Sequence, residues 1–328
     1  ISSAVGASTV SILLDDISLT SFNTFQINPD LYDLERTEIL RGPQGTLYGE
    51  GSLGGTIRLI TNKANFQKPE LKLRISESIP FRAGATTQPD SSNRYDAAFG
   101  LPLVKDRVAL RAGISKTKEG GYIDQPQRGV KNANDVNKDL GKLSIGAILG
   151  DRTLLEATYI ESRINYGALN RSNDNFQQAG KVDTRSSDEF NAASVKLIHA
   201  FDRANMELIA SKYKRQFTTT QEGIGDLERL VRLDTALNPI TDGIVRSLVD
   251  SVPIVDNGLQ DKSSQELRLI GTDLGSAKVV AGVYSEFNRS NYNPVWNTNL
   301  TLGVSDQQLL QLLQVINPGS QNAPQGLL

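Results

Sequence analysis

Leu103-Val-Lys-Asp-Arg-Val-Ala-Leu-Arg-Ala-Gly-Ile114 carries two signals whose combination decides the fold. A short polar turn, Leu103–Arg107, opens directly into a run with apolar residues at 108, 110, 112 and 114. Arg111 and Ser115 fall on the opposite face, so the run reads as a strand with one apolar and one polar side. The same period of two recurs along the chain. Leu71, Leu73 and Ile75 mark the first strand, at about 70–79, and Tyr95, Ala97, Phe99 and Leu101 the second. Val108–Ile114 is the third, Leu143–Leu149 the fourth, and Leu155, Ala157 and Tyr159 the fifth. Val195–Phe201, Met206–Ala210, Leu267 with Leu269, and Val279–Val283 complete nine, each expected to run about ten residues.

The connections alternate. Leu103–Arg107, Gly150–Arg152, Asp202–Asn205 and Asp273–Ala277 are short, whereas Ile79–Ser92, Lys118–Lys138, Ser162–Glu189 and Thr218–Lys262 are long and polar. Tight turns at one end and large loops at the other are the habit of an up-and-down transmembrane barrel. A soluble sandwich spreads its loop lengths, and structureless loops of this size count against one. The facing expected on this reading puts Leu73, Leu110, Ile145, Leu197 and Leu208 against lipid and Arg74, Arg111, Lys196 and Glu207 inside.

Composition agrees by exclusion. The chain has 328 residues, 35 Lys plus Arg against 37 Asp plus Glu, 38% apolar residues, one His and no Cys. A net charge of −2 gives no field for nucleic acid. The missing Cys removes disulfides, thiolate catalysis and Cys-based zinc sites, and a lone His199 provides no His cluster for metal or haem. No run approaches the roughly 18 apolar residues of a spanning helix. Aromatics, at 6%, give thin interfacial girdles.

Residues 1–66 differ in kind from 67–328 and are expected to form a separate, small α+β domain. Val10–Leu19 reads as a strand, Leu31–Leu40 as a short helix feeding a strand at Thr37–Leu40, and Thr56–Thr61 as another strand. Between them Gly42, Gly45, Gly49, Gly51, Gly54 and Gly55 punctuate the chain. Gly49-Glu-Gly-Ser-Leu-Gly54 matches a dinucleotide fingerprint by spelling only, because a strand and not a helix follows it. Asp15 and Asp16, adjacent on a strand, point to opposite faces and make no catalytic dyad. Asp135–Asp139 opens like a calcium loop but lacks the Gly and the closing Glu, and reads as a solvated loop. His199 lies on an apolar face near the Asp202 turn, as a packing residue. Ser305–Gln308 begins a short amphipathic helix through Ile316, inside a loop. No arrangement supports an enzyme, a resident metal or a cofactor.

Leu34-Glu-Arg-Thr-Glu-Ile-Leu-Arg-Gly-Pro-Gln-Gly-Thr-Leu-Tyr-Gly49, continued by Gly54-Gly-Thr-Ile-Arg-Leu-Ile-Thr-Asn-Lys63, closely resembles the plug domain of TonB-dependent outer-membrane receptors. Ser263-Ser-Gln-Glu-Leu-Arg-Leu269 is similar to a barrel strand of the same family. The resemblance marks Arg41, Gly42, Pro43, Gly45, Tyr48, Gly49, Gly54 and Gly55 as the plug motif. It implies a barrel of about 22 strands filled by the plug. It further implies uptake of a scarce ligand, most often a ferric siderophore, across the outer membrane of a Gram-negative bacterium. Energy comes through TonB, which contacts a segment outside this chain. The Arg at position 41 is expected to point at the barrel wall, with Glu38 or Glu50 as substitutes for missing partners. The other readings are a passive porin or adhesin barrel, which would carry no plug, and a receptor for a glycan or cobalamin. A soluble carbohydrate-binding β protein would need clustered Trp and Tyr, and Trp296 stands alone as the one Trp. Nine strands cannot close an all-antiparallel barrel, so an open sheet with edges at 70–79 and 277–288 is expected.

Overall fold

The computed structural model describes residues 9–20, 32–45, 51–80, 87–223, 249–251, 253–271, 279–296 and 301–302. Nine antiparallel strands form one curved sheet: β5 (Glu70–Ser78), β6 (Ser92–Val104), β7 (Val108–Glu119), β8 (Val136–Leu149), β9 (Thr153–Tyr166), β10 (Ser186–Ala200), β11 (Ala204–Glu222), β13 (Pro253–Gly271) and β14 (Val280–Trp296). Each pairs with its neighbour in chain order. The sheet runs from β5 at one edge to β14 at the other without closing. The strands reach 19 residues, well beyond the expected ten. A tilted strand needs about 9–11 residues to cross a bilayer. The outer face of the surplus is mostly polar, so the apolar-out alternation ends there.

Facing follows the alternation. Leu73, Ile145 and Leu208 are exposed on the outer side, with Leu71, Phe99, Val195 and Leu267 in the same band. Arg111, Lys142, Ser144, Ile160 and Arg215 are buried on the inner side. Short turns sit at one end, and Asp106 and Gly150 hold them in the left-handed region with φ of 60° and 67°. At the other end the described long connections, 118–138 and 162–189, are ordered rather than structureless. Asn134 Oδ1 accepts from the backbone of Tyr122 (2.7 Å) and Ile123 (2.8 Å). Asn132 Nδ2 donates to Asp90 Oδ1 at 2.9 Å, and Asp124 bridges to Gln177. Asp135 immediately precedes β8, so the segment read as a solvated calcium-like loop is largely strand. His199 Nδ1 meets Thr153 Oγ1 at 2.8 Å, and its ring packs edge-on to Phe201.

A second, four-stranded sheet lies against the inner face, in the order β2-β1-β4-β3. It comprises β1 (Val10–Leu14), β2 (Ile17–Ser18), β3 (Leu34–Arg41) and β4 (Gly55–Thr61), with β1 parallel to β4. Two expectations are corrected here. Val10–Leu19 is a hairpin, because Asp15 takes a left-handed φ of 51° and turns the chain. Its carboxylate then accepts from the Thr61 amide (3.0 Å) and hydroxyl (2.7 Å). The expected helix from 31 is absent among the described residues: Tyr32 and Asp33 bend, and Leu34–Arg41 is all strand. Pairing with β4 along its whole length outweighs the weak helical spacing. The expected amphipathic helix at 305–316 lies outside the described residues. A further short ladder joins β12 (Val249–Ser251) to β15 (Thr301–Leu302).

Leu208→Arg puts a charge in the lipid-facing band. It is expected to cost about 2–4 kcal/mol of barrel stability near mid-membrane, read as a lower unfolding midpoint in vesicles. Gly55 has φ +152°, and a Cβ there would lie 2.5 Å from the Leu40 carbonyl oxygen. Gly55→Ala is therefore expected to destabilise the small sheet by about 1–3 kcal/mol, seen as faster amide exchange in β3 and β4 with the wall unchanged.

Candidate functional site

The contact between the small sheet and the wall is built from four kinds of side chain. An apolar cluster comes first: Leu14, Ile17 and Leu19 of the small sheet meet Ile160, Phe190, Ala192 and Tyr213 of the wall. These wall residues occupy inward positions on β9, β10 and β11, between polar neighbours. Among the described residues the cluster is small, and most of the other contacts are polar.

Arg111 on β7 is 1% exposed, the least of any cation among the described residues. Its Nε and Nη2 grip Asp33 of the small sheet side-on at 2.5 and 2.6 Å, while Nη1 reaches Glu70 of β5 at 2.8 Å. Lys72 Nζ stands 3.6 Å from the same Asp33. Asp33 also accepts from Asn62 Nδ2 at 2.9 Å, so its carboxylate is fully engaged. Its left-handed φ of 69° turns the chain so that the carboxylate faces the wall. Next along the wall, Lys142 donates to the carbonyl oxygen of Asn62 at 3.0 Å. The guanidinium of Arg74 lies 4.8 Å from the centre of the Tyr32 ring.

On the other flank, Asp16 pairs with Lys196 of β10 at 3.2 Å, and Lys196 also lies 3.6 Å from Glu207. Gln260 of β13 donates to the Thr20 carbonyl at 3.0 Å. Asp15 and Asp16 thus do point apart, from a turn and not from a strand: one ties the small sheet to itself, the other ties it to the wall. Where the chain passes from β4 to β5, the Phe66 carbonyl accepts from Asp106 N at 2.9 Å. The Phe66 ring rests on Gly146, where a Cβ would be 2.8 Å from it.

The glycine-rich motif sits away from these contacts. Gly42 N donates to the Gly54 carbonyl (3.2 Å), Gln44 N to Ser52 (2.8 Å) and Gly54 N to Thr9 (2.7 Å), folding the turn back on β1. Gly42 has φ +83°. The hydroxyls of Ser11, Ser52 and Thr56 form a buried chain beneath it. Pro43 and Gly45 are exposed; Tyr48, Gly49 and Glu50 lie outside the described residues. Arg41 is exposed and makes no hydrogen bond or ion pair with the wall among the described residues. Glu38 is engaged by Arg36 (2.8 Å) and Arg58 (2.6 Å) instead of Arg41. Among the described residues, the ion pairs that join the two sheets have their cations, Arg111, Lys72 and Lys196, on the wall and their carboxylates, Asp33 and Asp16, on the small sheet. Arg111, Lys196 and Arg74 were legible as inward charges. Asp33 and Asp16 carried no sequence signal of their own, and Lys142 lies on the inward face of β8, opposite the apolar residues that marked the strand.

Comparison with known proteins places this architecture. The TonB-dependent Receptor Plug Domain family matches residues 2–56. The pesticin receptor of Yersinia pestis is 43% identical over 138 residues, 42% of this chain and 18% of the relative. A probable TonB-dependent siderophore receptor, PirA of Acinetobacter baumannii, is 25% identical over 254 residues, 72% of this chain and 29% of the relative. The chain thus spans less than a third of the length of these curated relatives. Among solved structures, the ferric yersiniabactin uptake receptor FyuA of Yersinia pestis superposes with a TM-score of 0.67 at 19% identity, covering 88% of this chain and 41% of that one. The ferripyoverdine receptor of Pseudomonas aeruginosa gives 0.66 at 16% identity, over 89% and 37%. With a plug sheet seated inside an antiparallel outer-membrane wall and relatives matched on both parts, the chain belongs to the TonB-dependent outer-membrane receptors.

Proposed function

We propose that this chain, with residues 1–66 as plug and 67–328 as barrel wall, works in active uptake of a scarce ligand, foremost a ferric siderophore. It transports rather than catalyses, and energy reaches the plug through TonB. The named activities of the relatives support the ligand class, since they include siderophore and ferric-siderophore receptors. The plug motif, Arg41, Gly42, Pro43, Gly45, Tyr48, Gly49, Gly54 and Gly55, serves in this reading to keep the plug compact enough to fit a lumen. A passive porin is disfavoured by the plug itself.

The observation that carries the reading is the chemistry of the plug–wall contact. A seal made only of packed hydrocarbon would resist motion, because exposing apolar surface costs about 25 cal/mol per Å². Here, among the described residues, the apolar cluster is limited, and most of the rest is ion pairs and hydrogen bonds. A buried ion pair adds little net stability, because desolvation offsets the Coulomb gain. It is nevertheless exacting about geometry. The Arg111–Asp33 pair therefore fixes where the plug sits without binding it irreversibly, and water can take over both charges once the plug moves.

Arg111→Met leaves Asp33 buried with Lys72 and Asn62 as its remaining partners. It should weaken plug seating by about 3–5 kcal/mol, read as a rise in bilayer conductance and in amide exchange of residues 34–61. The double variant Arg111→Met with Asp33→Leu should recover most of that loss, whereas a position-independent charge effect would leave the double as leaky as the single. Uptake of radiolabelled iron on siderophores, in a strain lacking the gene and in its complemented parent, tests the function. Uptake should require the gene and stop with a protonophore. Gene-dependent uptake that survives the protonophore would favour a passive pore.

A further inference from the structure

Arg111 reaches its second carboxylate across a whole strand. Glu70, Gly100 and Arg111 are successive partners in one row of β5, β6 and β7. Neighbouring strands stand about 4.8 Å apart, so the arginine side chain crosses roughly 10 Å of sheet lying flat. Gly100 leaves room for that crossing. A Cβ there would be 3.3 Å from Arg111 Nη1 and 3.8 Å from Glu70 Cβ. The inward positions beside the row are small as well: Ala98 on β6, with Ala109 and Gly113 on β7, all buried. The guanidinium thus lies in a trough of the wall, with its Nε and Nη2 edge turned to Asp33 and its Nη1 corner to Glu70.

The two carboxylates ride on different bodies. Asp33 opens β3 of the plug sheet, whereas Glu70 opens β5 and is paired into the wall. Glu70 is aimed from behind: its Oε1 accepts from Asn65 Nδ2 at 2.8 Å, and Asn65 Oδ1 accepts from the Gln67 amide at 2.9 Å. The neighbouring Phe66 carbonyl is bound to the Asp106 amide of the wall at 2.9 Å. None of these contacts depends on Asp33. Meanwhile Asp33 and Glu70 share one guanidinium, and as like charges they repel each other across it.

We infer that Glu70 is a positioning residue for plug release, keeping the Arg111 cation paired and flat in its trough when Asp33 withdraws. The inference rests on the proposed reading of the plug as the part that moves. A buried cation abandoned by its one carboxylate is strongly destabilised, and that barrier would hold the plug shut. With Glu70 in place, Arg111 keeps a charge partner throughout. Its Nε and Nη2 stay turned to the lumen as the fork that a returning Asp33 meets side-on. The two carboxylates therefore act in opposite directions. Asp33 favours the seated plug. Glu70 favours the displaced one, because its charge matters most to Arg111 once Asp33 has gone.

Potassium chloride conductance of the intact receptor in planar bilayers, titrated with urea, reads plug displacement as the opening of a pore. The wild type should open below the urea concentration that unfolds the wall. Asp33→Asn should lower the opening midpoint. Glu70→Gln keeps an acceptor oxygen for Nη1 and removes only the charge. It should raise the midpoint and slow opening at fixed urea about tenfold, the scale of one charge-assisted hydrogen bond. Gly100→Ala, whose methyl group crowds Nη1 away from Glu70 and spares the grip on Asp33, should shift the midpoint the same way by less. A midpoint lowered in Glu70→Gln, as in Asp33→Asn, would make Glu70 one more clasp on the plug and overturns the inference. An unchanged midpoint in Glu70→Gln overturns it too. A wild type that conducts without urea, or stays closed until the wall unfolds, overturns the plug reading itself, and shows before any variant is compared.

Discussion

Every wall strand serves two solvents at once, and the side chains between wall and plug meet neither. Water solvates the loops and lipid takes the outer face, but a group such as Arg111 must find all its partners in protein. It does so by spanning three elements: Asp33 in the plug, Glu70 on β5 and its own strand β7. Removing any partner would strand a charge, so plug position, strand register and the β5–β7 spacing are mutually fixed by one guanidinium. The lateral contacts through Lys142, Lys196 and Gln260 repeat this logic on other strands. The plug is located by a ring of polar contacts spread over β7 to β13, with the apolar cluster at its middle.

The wall was legible in the sequence because lipid enforces period-two alternation, and all nine strands fall where the alternation and the short turns place them. Their upper ends were not legible. Above the membrane the outward residues, such as Glu189 and Lys214, are polar as well, and pairing partners rather than lipid-facing alternation extend the strand. The inward charges on β7 and β10 were also readable, since a charge opposite an apolar lipid face has one place to go.

The plug was harder. Its motif marks the family but does not mark the contact: Gly42, Gly54 and Gly55 build the turn, while the work of seating falls to Asp16, Asp33 and Asn62, which no pattern distinguishes. The helix expected at 31 and the continuous strand expected at 10–19 both failed for one reason. Short stretches have weak intrinsic preferences, and the ladder with β4, together with the left-handed turns at Asp15 and Asp33, decided them. Arg41 has no partner among the described wall residues, and the ion pairs that are described there set wall cations against plug carboxylates.

The seat of Phe66 sets a tether length. Its carbonyl is held by the turn at Asp106 and its ring lies on Gly146, so the linker is moored to the wall midway between the two sheets. Four residues separate it from Thr61, five steps along the chain and a reach of at most about 17 Å when fully extended. While that mooring holds, the end of β4 is confined to a hemisphere of that radius around the short-turn end of β6 to β8. The plug's carboxyl-terminal strand is leashed to the wall, and any larger excursion belongs to the segments that precede it.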